Sequence, residues 1–232
     1  MTMARPGSPL RDFPPVVAAP GDAPLAIGGD LSPERLLAAY SRGIFPWYDT
    51  PPILWWSPDP RMMLTPDDLR INRSLAKSLR RTRLRVTFDR AFASVIRACA
   101  EPRRDGPGTW IGPEMITAYE ALYARGFAHS VECWSGDHAL VGGLYGVALG
   151  GAFFGESMFS RERDASKIAF VTLARYLQTQ AFSLIDCQTP SRHMAALGAR
   201  LIPRERFLTH LREALTRPLT PGRWPSDDRA RS

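Results

Sequence analysis

Between Ala128 and Gln188 the sequence alternates in period two, then repeats at helical spacing, then runs apolar, and few architectures accept that order. Ala128–Trp134 and Ala139–Leu149 read as strands joined by the turn signal Ser135-Gly136-Asp137-His138. Leu149-Gly150-Gly151 turns the chain into a third strand, Ala152–Glu156. A helix N-capped by Asp164 runs to about Gln180, and Phe182–Cys187 is a buried strand. Ser191–Leu197 follows as a short helix stopped by Gly198, then Ala199–Ile202 as a last strand and Arg204–Leu215 as a closing helix. A central antiparallel run followed by helix–strand–helix–strand predicts an α+β domain with a mixed sheet. Two carboxylates, Glu156 and Asp186, fall at strand ends in this scheme. Phe153, Phe154, Met158 and Phe159 surround the first, and an apolar wall with few polar groups is how small-ligand pockets are built.

The chain before this region divides in two. Residues 1–24 are rich in Pro, Gly and Ala and read as an irregular arm. Ser32 and Pro33 then fit the N-cap and first position of a helix carrying Leu36, Leu37 and Tyr40 inward. Trp47, Trp55 and Trp56 crowd a proline-broken stretch that predicts neither a regular helix nor a central strand. It would pack under a small N-terminal domain or line a cleft. A boundary between Arg61 and Asp68 predicts a small domain over 1–62 and a catalytic-sized domain over 63–232. In the second part Ser74–Arg81 reads as a basic helix, Leu84–Phe88 as a strand, and Asp89–Ala100 and Pro113–Arg125 as amphipathic helices.

Several function classes are excluded early. No apolar run approaches the ~20 residues that span a bilayer, and Met1–Asp12 lacks the apolar core of a secretion signal. The three cysteines, Cys99, Cys133 and Cys187, form no CxxC pair, so neither a disulfide framework nor a zinc site is indicated. These features predict a cytoplasmic protein. The net charge of +7 is partly a solvated tail, Arg223–Arg231. The denser cluster, Arg70–Arg85, carries Arg70, Arg73, Lys77, Arg80, Arg81, Arg83 and Arg85 without an acid, either a solvated face or a phosphate-binding one. Gly142-Gly143-x-x-Gly146 lacks the Lys-Ser/Thr of a P-loop and sits within strands, so no nucleotide fingerprint is present.

Asp186 and Gln188 end an apolar strand and share a face. A carboxylate there can take a proton or hold an ammonium group, and a carboxamide can donate to an oxyanion or accept from an amine. Asp186 as a simple loop cap and Glu156 as one half of an ion pair, with Lys167 or an arginine, are the structural alternatives. His193 could neighbour Asp186, yet no Ser-His-Asp constellation assembles.

The chain resembles a known family at this point. The motifs are Gly28-Gly29-Asp30-Leu31-Ser32, Gly43-Ile44-Phe45-Pro46-Trp47, Trp55-Trp56-Ser57-Pro58-Asp59-Pro60-Arg61 and Gly108-Thr109-Trp110-Ile111. Further along stand Ala128-His129-Ser130-Val131-Glu132, Leu140–Gly146, Gly155–Ser160, Ala165-Ser166-Lys167, Leu184–Gln188 and Ala196–Ala199. In this order they are similar to the leucyl/phenylalanyl-tRNA–protein transferases. The resemblance implies a catalytic domain of the GNAT acyltransferase type and transfer of Leu or Phe, Met less well, from aminoacyl-tRNA. The acceptor would be the α-amine of proteins beginning with Arg or Lys, marked thereby for N-degron degradation. It implies no cofactor, no metal and no membrane partner, and a monomer is the default. Asp186 and Gln188 would handle the amine and its proton, and Glu156 would face the amine or the basic acceptor residue. Trp47, Trp110, Leu144, Phe153 and Met158, with Ser157 beside them, would hold the aminoacyl group, and Arg73, Lys77, Arg80, Arg81 and Arg83 the tRNA. Leu144 stands where some relatives have Met, and Asp164 where Asn is common. The second exchange reads as a helix-cap swap. The runner-up, an acetyl-CoA-dependent N-acetyltransferase, requires a pyrophosphate loop that the sequence lacks.

Overall fold

The computed structural model describes residues 2–4, 13–102, 109–218 and 220–225. Most of the link Glu101–Thr109, with Gly108, and most of the tail Arg223–Arg231 lie outside the described residues. Two sheets organise the chain. The smaller has the order β1-β2-β4-β3, built from β1 (Thr2–Ala4), β2 (Ala26–Gly28), β3 (Phe45–Pro46) and β4 (Leu54–Trp56). The tryptophan-rich stretch is therefore strand after all, and β4 is an interior one. Its shortness leaves Pro51, Pro52 and Pro58 in the connections, while Pro46 sits in the edge strand β3, where a proline is tolerated. Between β2 and β3 runs α1 (Pro33–Tyr40), whose N-cap Ser32 accepts from the Arg35 N–H at 3.4 Å.

The larger sheet has seven strands in the order β11-β5-β10-β9-β8-β7-β6. They are β5 (Arg61–Leu64), β6 (Arg85–Phe88), β7 (Ala128–Trp134), β8 (Leu140–Leu149), β9 (Ala152–Ser160), β10 (Leu184–Gln188) and β11 (Arg200–Ile202). β9 and β10 form its parallel pair, joined through α5 (Ala165–Thr179), and the other pairings are antiparallel. The mixed sheet flanked by helices is the α+β class expected. Two details differ from the sequence reading. The segment expected to hold a domain boundary opens with β5, an interior strand between β11 and β10. β9 runs on to Ser160, so Glu156 lies inside a strand rather than at its end.

Helices cover both faces. α5 lies on one, burying Ile168, Phe170, Val171 and Leu173 against Leu144, Phe153 and Ile185. Gly142 makes this approach possible, since a Cβ there would meet the Ala165 Cβ at 2.5 Å. α2 (Arg73–Arg81) closes that side. The opposite face carries α1, α3 (Phe92–Ala100), α4 (Pro113–Ala124) and α7 (Arg204–Leu215), with Tyr40, Phe92, Tyr119, Tyr145, Phe154 and Phe207 in one apolar cluster shared with the small sheet. α6 (Arg192–Ala196) follows β10. Asp164 stands at the N-cap position of α5 as expected, but it is left-handed at φ 62° and its side chain makes no cap hydrogen bond: the carboxylate accepts instead from Ser78 Oγ at 2.8 Å and Lys167 Nζ at 2.9 Å. It ties α2 to α5, and the left-handed backbone is one that Asn adopts as readily as Asp.

Candidate functional site

Neighbouring strands are disturbed at the same level of the large sheet. In β9 the pairing with β8 passes from Gly155 to Ser157, so Glu156 is the extra residue of a bulge. In β10 the pairing with β5 passes from Asp186 to Gln188, so Cys187 is skipped. The parallel register between β9 and β10 is kept only to Phe154 and Asp186. A bulge unpairs one residue and turns its strand. Two of them side by side part the strands here, and Gln188 takes a left-handed φ of 62° at the opening.

Three polar groups meet at this gap. Asp186 is fully buried, and its carboxylate is gripped in a fork by Arg61 of β5, with Nε–Oδ1 at 2.9 Å and Nη2–Oδ2 at 2.6 Å. The guanidinium lies between the Phe45 and Phe207 rings, 4.7 and 4.6 Å from their centres. Asp186 Oδ1 also accepts from the Gln188 N–H at 2.9 Å, which holds the left-handed turn. The Gln188 side chain donates from Nε2 to Glu156 Oε1 at 2.9 Å. Glu156 in turn accepts from Tyr40 Oη at 2.8 Å and Tyr119 Oη at 2.9 Å, and the two hydroxyls contact each other. Burial pushes the Glu156 carboxyl up to about 7, with the Asp186 charge adding to the rise and the Tyr40, Tyr119 and Gln188 hydrogen bonds opposing it. The same burial, with the Glu156 charge, drives the Tyr40 and Tyr119 hydroxyls well above the ordinary tyrosine value.

A cavity of about 1000 Å³ opens around these groups, and its wall comes from both faces of the sheet. On the α5 side it is apolar, with Leu144, Phe153, Met158, Phe170, Leu173 and Ile185. On the other side it passes Phe45, Trp47, Tyr145 and Trp110, with Asp49 and Glu101 also lining it. The Tyr145 hydroxyl is buried there without a hydrogen-bond partner.

The sequence-derived candidates thus divide. Leu144, Phe153 and Met158 do line one apolar branch, while Ser157 lines the cavity beside Glu156. Trp47, 40% exposed and packed on Trp56, lines the same cavity with Trp110, but from the other side of the sheet. Asp186, Gln188 and Glu156 converge as expected, but the partners differ. Lys167 pairs with Asp164, not Glu156, and both Asp186 oxygens are occupied. Arg61, Tyr40, Tyr119, Phe170 and Leu173 were missed. Arg61 sits inside a motif that the sequence displays, and its position one strand over from Asp186 was the hidden part. Arg73, Lys77, Arg80, Arg81 and Arg83 are exposed on and just after α2 and do not line the cavity. Their helix meets it indirectly, through the Ser78–Asp164 bond at the start of α5, where Ser166 forms part of the wall. His193 lines the cavity half-buried, with its Nε2 unpartnered. Among the described residues no group of three or more His, Cys, Asp or Glu is arranged to hold a metal ion, and no helix is long and apolar enough to cross a membrane.

The chain is similar in sequence to known proteins over most of its length. Residues 63–212 match the family model described as leucyl/phenylalanyl-tRNA protein transferase, and residues 29–59 match that of its N-terminal domain. A leucyl/phenylalanyl-tRNA–protein transferase from Anaeromyxobacter sp. (strain Fw109-5) is 58% identical over 93% of this chain and 92% of its own. One from Nitrosospira multiformis is 60% identical over 87% of this chain and 88% of its own. A solved GCN5-related N-acetyltransferase from Kribbella flavida overlaps 77% of this chain and 63% of its own at 13% identity, with a TM-score of 0.36, too loose to carry an argument.

Proposed function

The chain belongs to the leucyl/phenylalanyl-tRNA protein transferase family, and from that premise we propose how its cavity moves Leu or Phe from aminoacyl-tRNA onto the α-amine of a protein. The observation that carries the reading is the cavity lined from both faces of the sheet at the level of Gln188. The leucyl or phenylalanyl side chain enters the apolar branch between α5 and the sheet, which sets its ester carbonyl near the parted strands. The acceptor comes from the side of Trp47, Trp110, Asp49 and Glu101. Aromatic faces and carboxylates together suit an N-terminal Arg or Lys side chain. The exposed basic residues of α2 continue from the α5 end of the cavity and take tRNA phosphates, largely without reading sequence.

The reaction asks little covalent chemistry of the protein. The amine nitrogen attacks the ester carbonyl carbon, the new C–N bond forms, and the C–O bond to the ribose breaks. The amine gives up one proton and the departing ribose oxygen gains one. An α-amine titrates near 7.7–8.0, so much of it is already free base at neutral pH, and positioning dominates. Gln188 donates its Nε2 to Glu156, which leaves Oε1 as the atom that accepts from the incoming amine. Asp186, bound on both oxygens, is a positioning residue: it pairs with Arg61 and fixes the Gln188 backbone. Glu156 acts one step back as well, because its acceptors serve Tyr40, Tyr119 and Gln188 and not the basic acceptor residue. The setting is cytoplasmic and the working unit a monomer in this reading, with residues 1–62 acting as a small domain on the acceptor side.

The test pairs labelled leucyl-tRNA with two peptides, one beginning with Arg and one with Ala, and includes Gln188→Asn. Asn keeps the left-handed backbone and withdraws the amide, so transfer to the Arg peptide falls about a hundredfold with KM little changed. Label on both peptides alike removes the acceptor assignment. Full activity in the variant removes Gln188 from the reaction, and transfer from acetyl-CoA without tRNA would replace the donor.

A further inference from the structure

The chain past Leu215 returns across the far end of the sheet and is fastened at successive residues. The Gly222 N–H donates to the Gly126 carbonyl at 3.2 Å. The Arg223 guanidinium lies 3.4 Å from the centre of the Tyr123 ring. The Trp224 N–H donates to Asp89 Oδ2 at 2.8 Å. Asp89 is itself fixed: its Oδ1 accepts from the Ser130 N–H at 2.9 Å, and its Oδ2 accepts from His129 Nδ1 at 2.8 Å. With its backbone so held, the Trp224 indole stacks flat on the His129 ring, 3.9 Å away at 4°. It also packs on Phe88, Tyr176 and Phe182 and is 9% exposed.

One more ring touches it. Phe153, which forms the wall of the apolar branch, lies 5.8 Å from Trp224 between ring centres. On another side Phe153 abuts the backbone of β8, where a Cβ on Gly146 would meet its Cζ at 2.4 Å. The ring is therefore confined by β8 backbone on one side and by the indole on another. Trp224 does not line the cavity; it stands one layer behind the residue that does.

We propose that Trp224, seated by the C-terminal chain, sets the depth of the apolar branch and so limits the size of the donor side chain. The proposal rests on the reading that this branch holds the leucyl or phenylalanyl group. Protein interiors are close-packed, so a wall ring keeps its place only while the layer behind it is filled. Removing the indole leaves an apolar space into which the Phe153 ring can retreat, and the branch lengthens by the retreat. Donors with a larger aromatic side chain gain most, while Leu loses part of its fit.

The experiment measures kcat/KM for leucyl-, phenylalanyl- and misacylated tryptophanyl-tRNA with wild type, Trp224→Ala, Trp224→Phe and Phe153→Ala, alongside melting temperatures. Trp224→Ala raises the tryptophanyl-to-leucyl ratio about tenfold, the scale at which apolar pockets discriminate by shape. Trp224→Phe, which keeps a ring in the layer, gives a smaller rise and decides the matter if the alanine variant does not fold. An unchanged ratio in both Trp224 variants, with a changed one in Phe153→Ala, makes Trp224 ordinary core and leaves the pocket reading intact. A ratio unchanged in all three overturns the pocket reading, and this inference with it.

Discussion

The two faces of the seven-stranded sheet meet at one gap and do opposite kinds of work. Toward α5 the cavity wall is mostly aliphatic and aromatic, and in the proposed reading it selects by shape. Toward α1 and α4 the groups are Glu156, Tyr40, Tyr119 and, from β5, Arg61, joined by hydrogen bonds to named partners, with Arg61 Nη1 and the Tyr145 hydroxyl buried beside them without one. Apolar shape tolerates approximate fits at a cost of about 1–3 kcal/mol per methylene. A buried polar network tolerates almost none, because each lost partner leaves a desolvated group behind. In the proposed reading the contrast lets one enzyme accept side chains as different as Leu and Phe while holding the reacting amine in one geometry.

The sharpest way to break the comparison is Arg61→Ala. It strands a buried carboxylate, and breaking such a pair costs about 3–5 kcal/mol. Chemical denaturation should show that loss, and residual folded protein should be inactive because the Gln188 turn is released. Near-native stability with full transfer would mean that the polar face is as forgiving as the apolar one.

Phe153→Ala is the matching cut on the other face. Phe153 is 1% exposed, so the substitution lowers stability by about 3 kcal/mol as well as altering donor choice. The expected signature is selective: leucyl and phenylalanyl transfer change unequally, with the pH profile of transfer unmoved. A shifted pH profile would show the two faces to be coupled.

The third prediction concerns protons. The folded Glu156 holds its proton up to about 7, against 4.5 for an ordinary carboxyl, so between those values the folded chain binds more protons than the unfolded one. Its contribution to stability is fully present below pH ~4.5 and is lost as pH rises through ~7, amounting to about 3 kcal/mol at 1.36 kcal/mol per pH unit. Melting of wild type and Glu156→Gln at pH 5 and pH 8 reads this directly. The wild type should lose more on the alkaline side than the variant, and equal losses would remove Glu156 as the titrating group.

The smallest effect belongs to neither face. Arg80→Ala with Arg81→Ala should weaken tRNA binding and flatten its salt dependence by roughly one to two in the log–log slope. Peptide acceptor affinity should stay as it was. An unchanged slope would move the tRNA away from α2.

These contrasts were unevenly legible in the sequence. Strand periodicity located β7, β8 and the start of β9, and helical spacing located α3, α4 and α7 to within a few residues, because those signals are local. β5 was invisible: Arg61-Met62-Met63-Leu64 has no alternation, being interior to the sheet and buried along its length. Arg61 was lost with it. Tyr40 and Tyr119 were read as apolar faces of α1 and α4, correctly, but their hydroxyls converge across 79 residues of sequence. No spacing rule reports such a meeting. Phe170 and Leu173 were legible only as one side of an amphipathic helix, and nothing in that pattern separates a core position from a pocket wall. The bulges at Glu156 and Cys187 left no mark in the sequence either, since a bulge is a property of paired strands.

The gap between β9 and β10 also constrains the order of events. If the donor and the acceptor enter from opposite sides of the sheet as proposed, they arrive independently, and neither must depart before the other docks. Among the described side chains at the gap, Gln188 is no nucleophile, Asp186 is held by Arg61, and burial pushes the Cys187 thiol well above its ordinary value, away from the reactive thiolate. Both substrates must then be present together when the bond forms, and double-reciprocal plots of rate against each should intersect rather than run parallel.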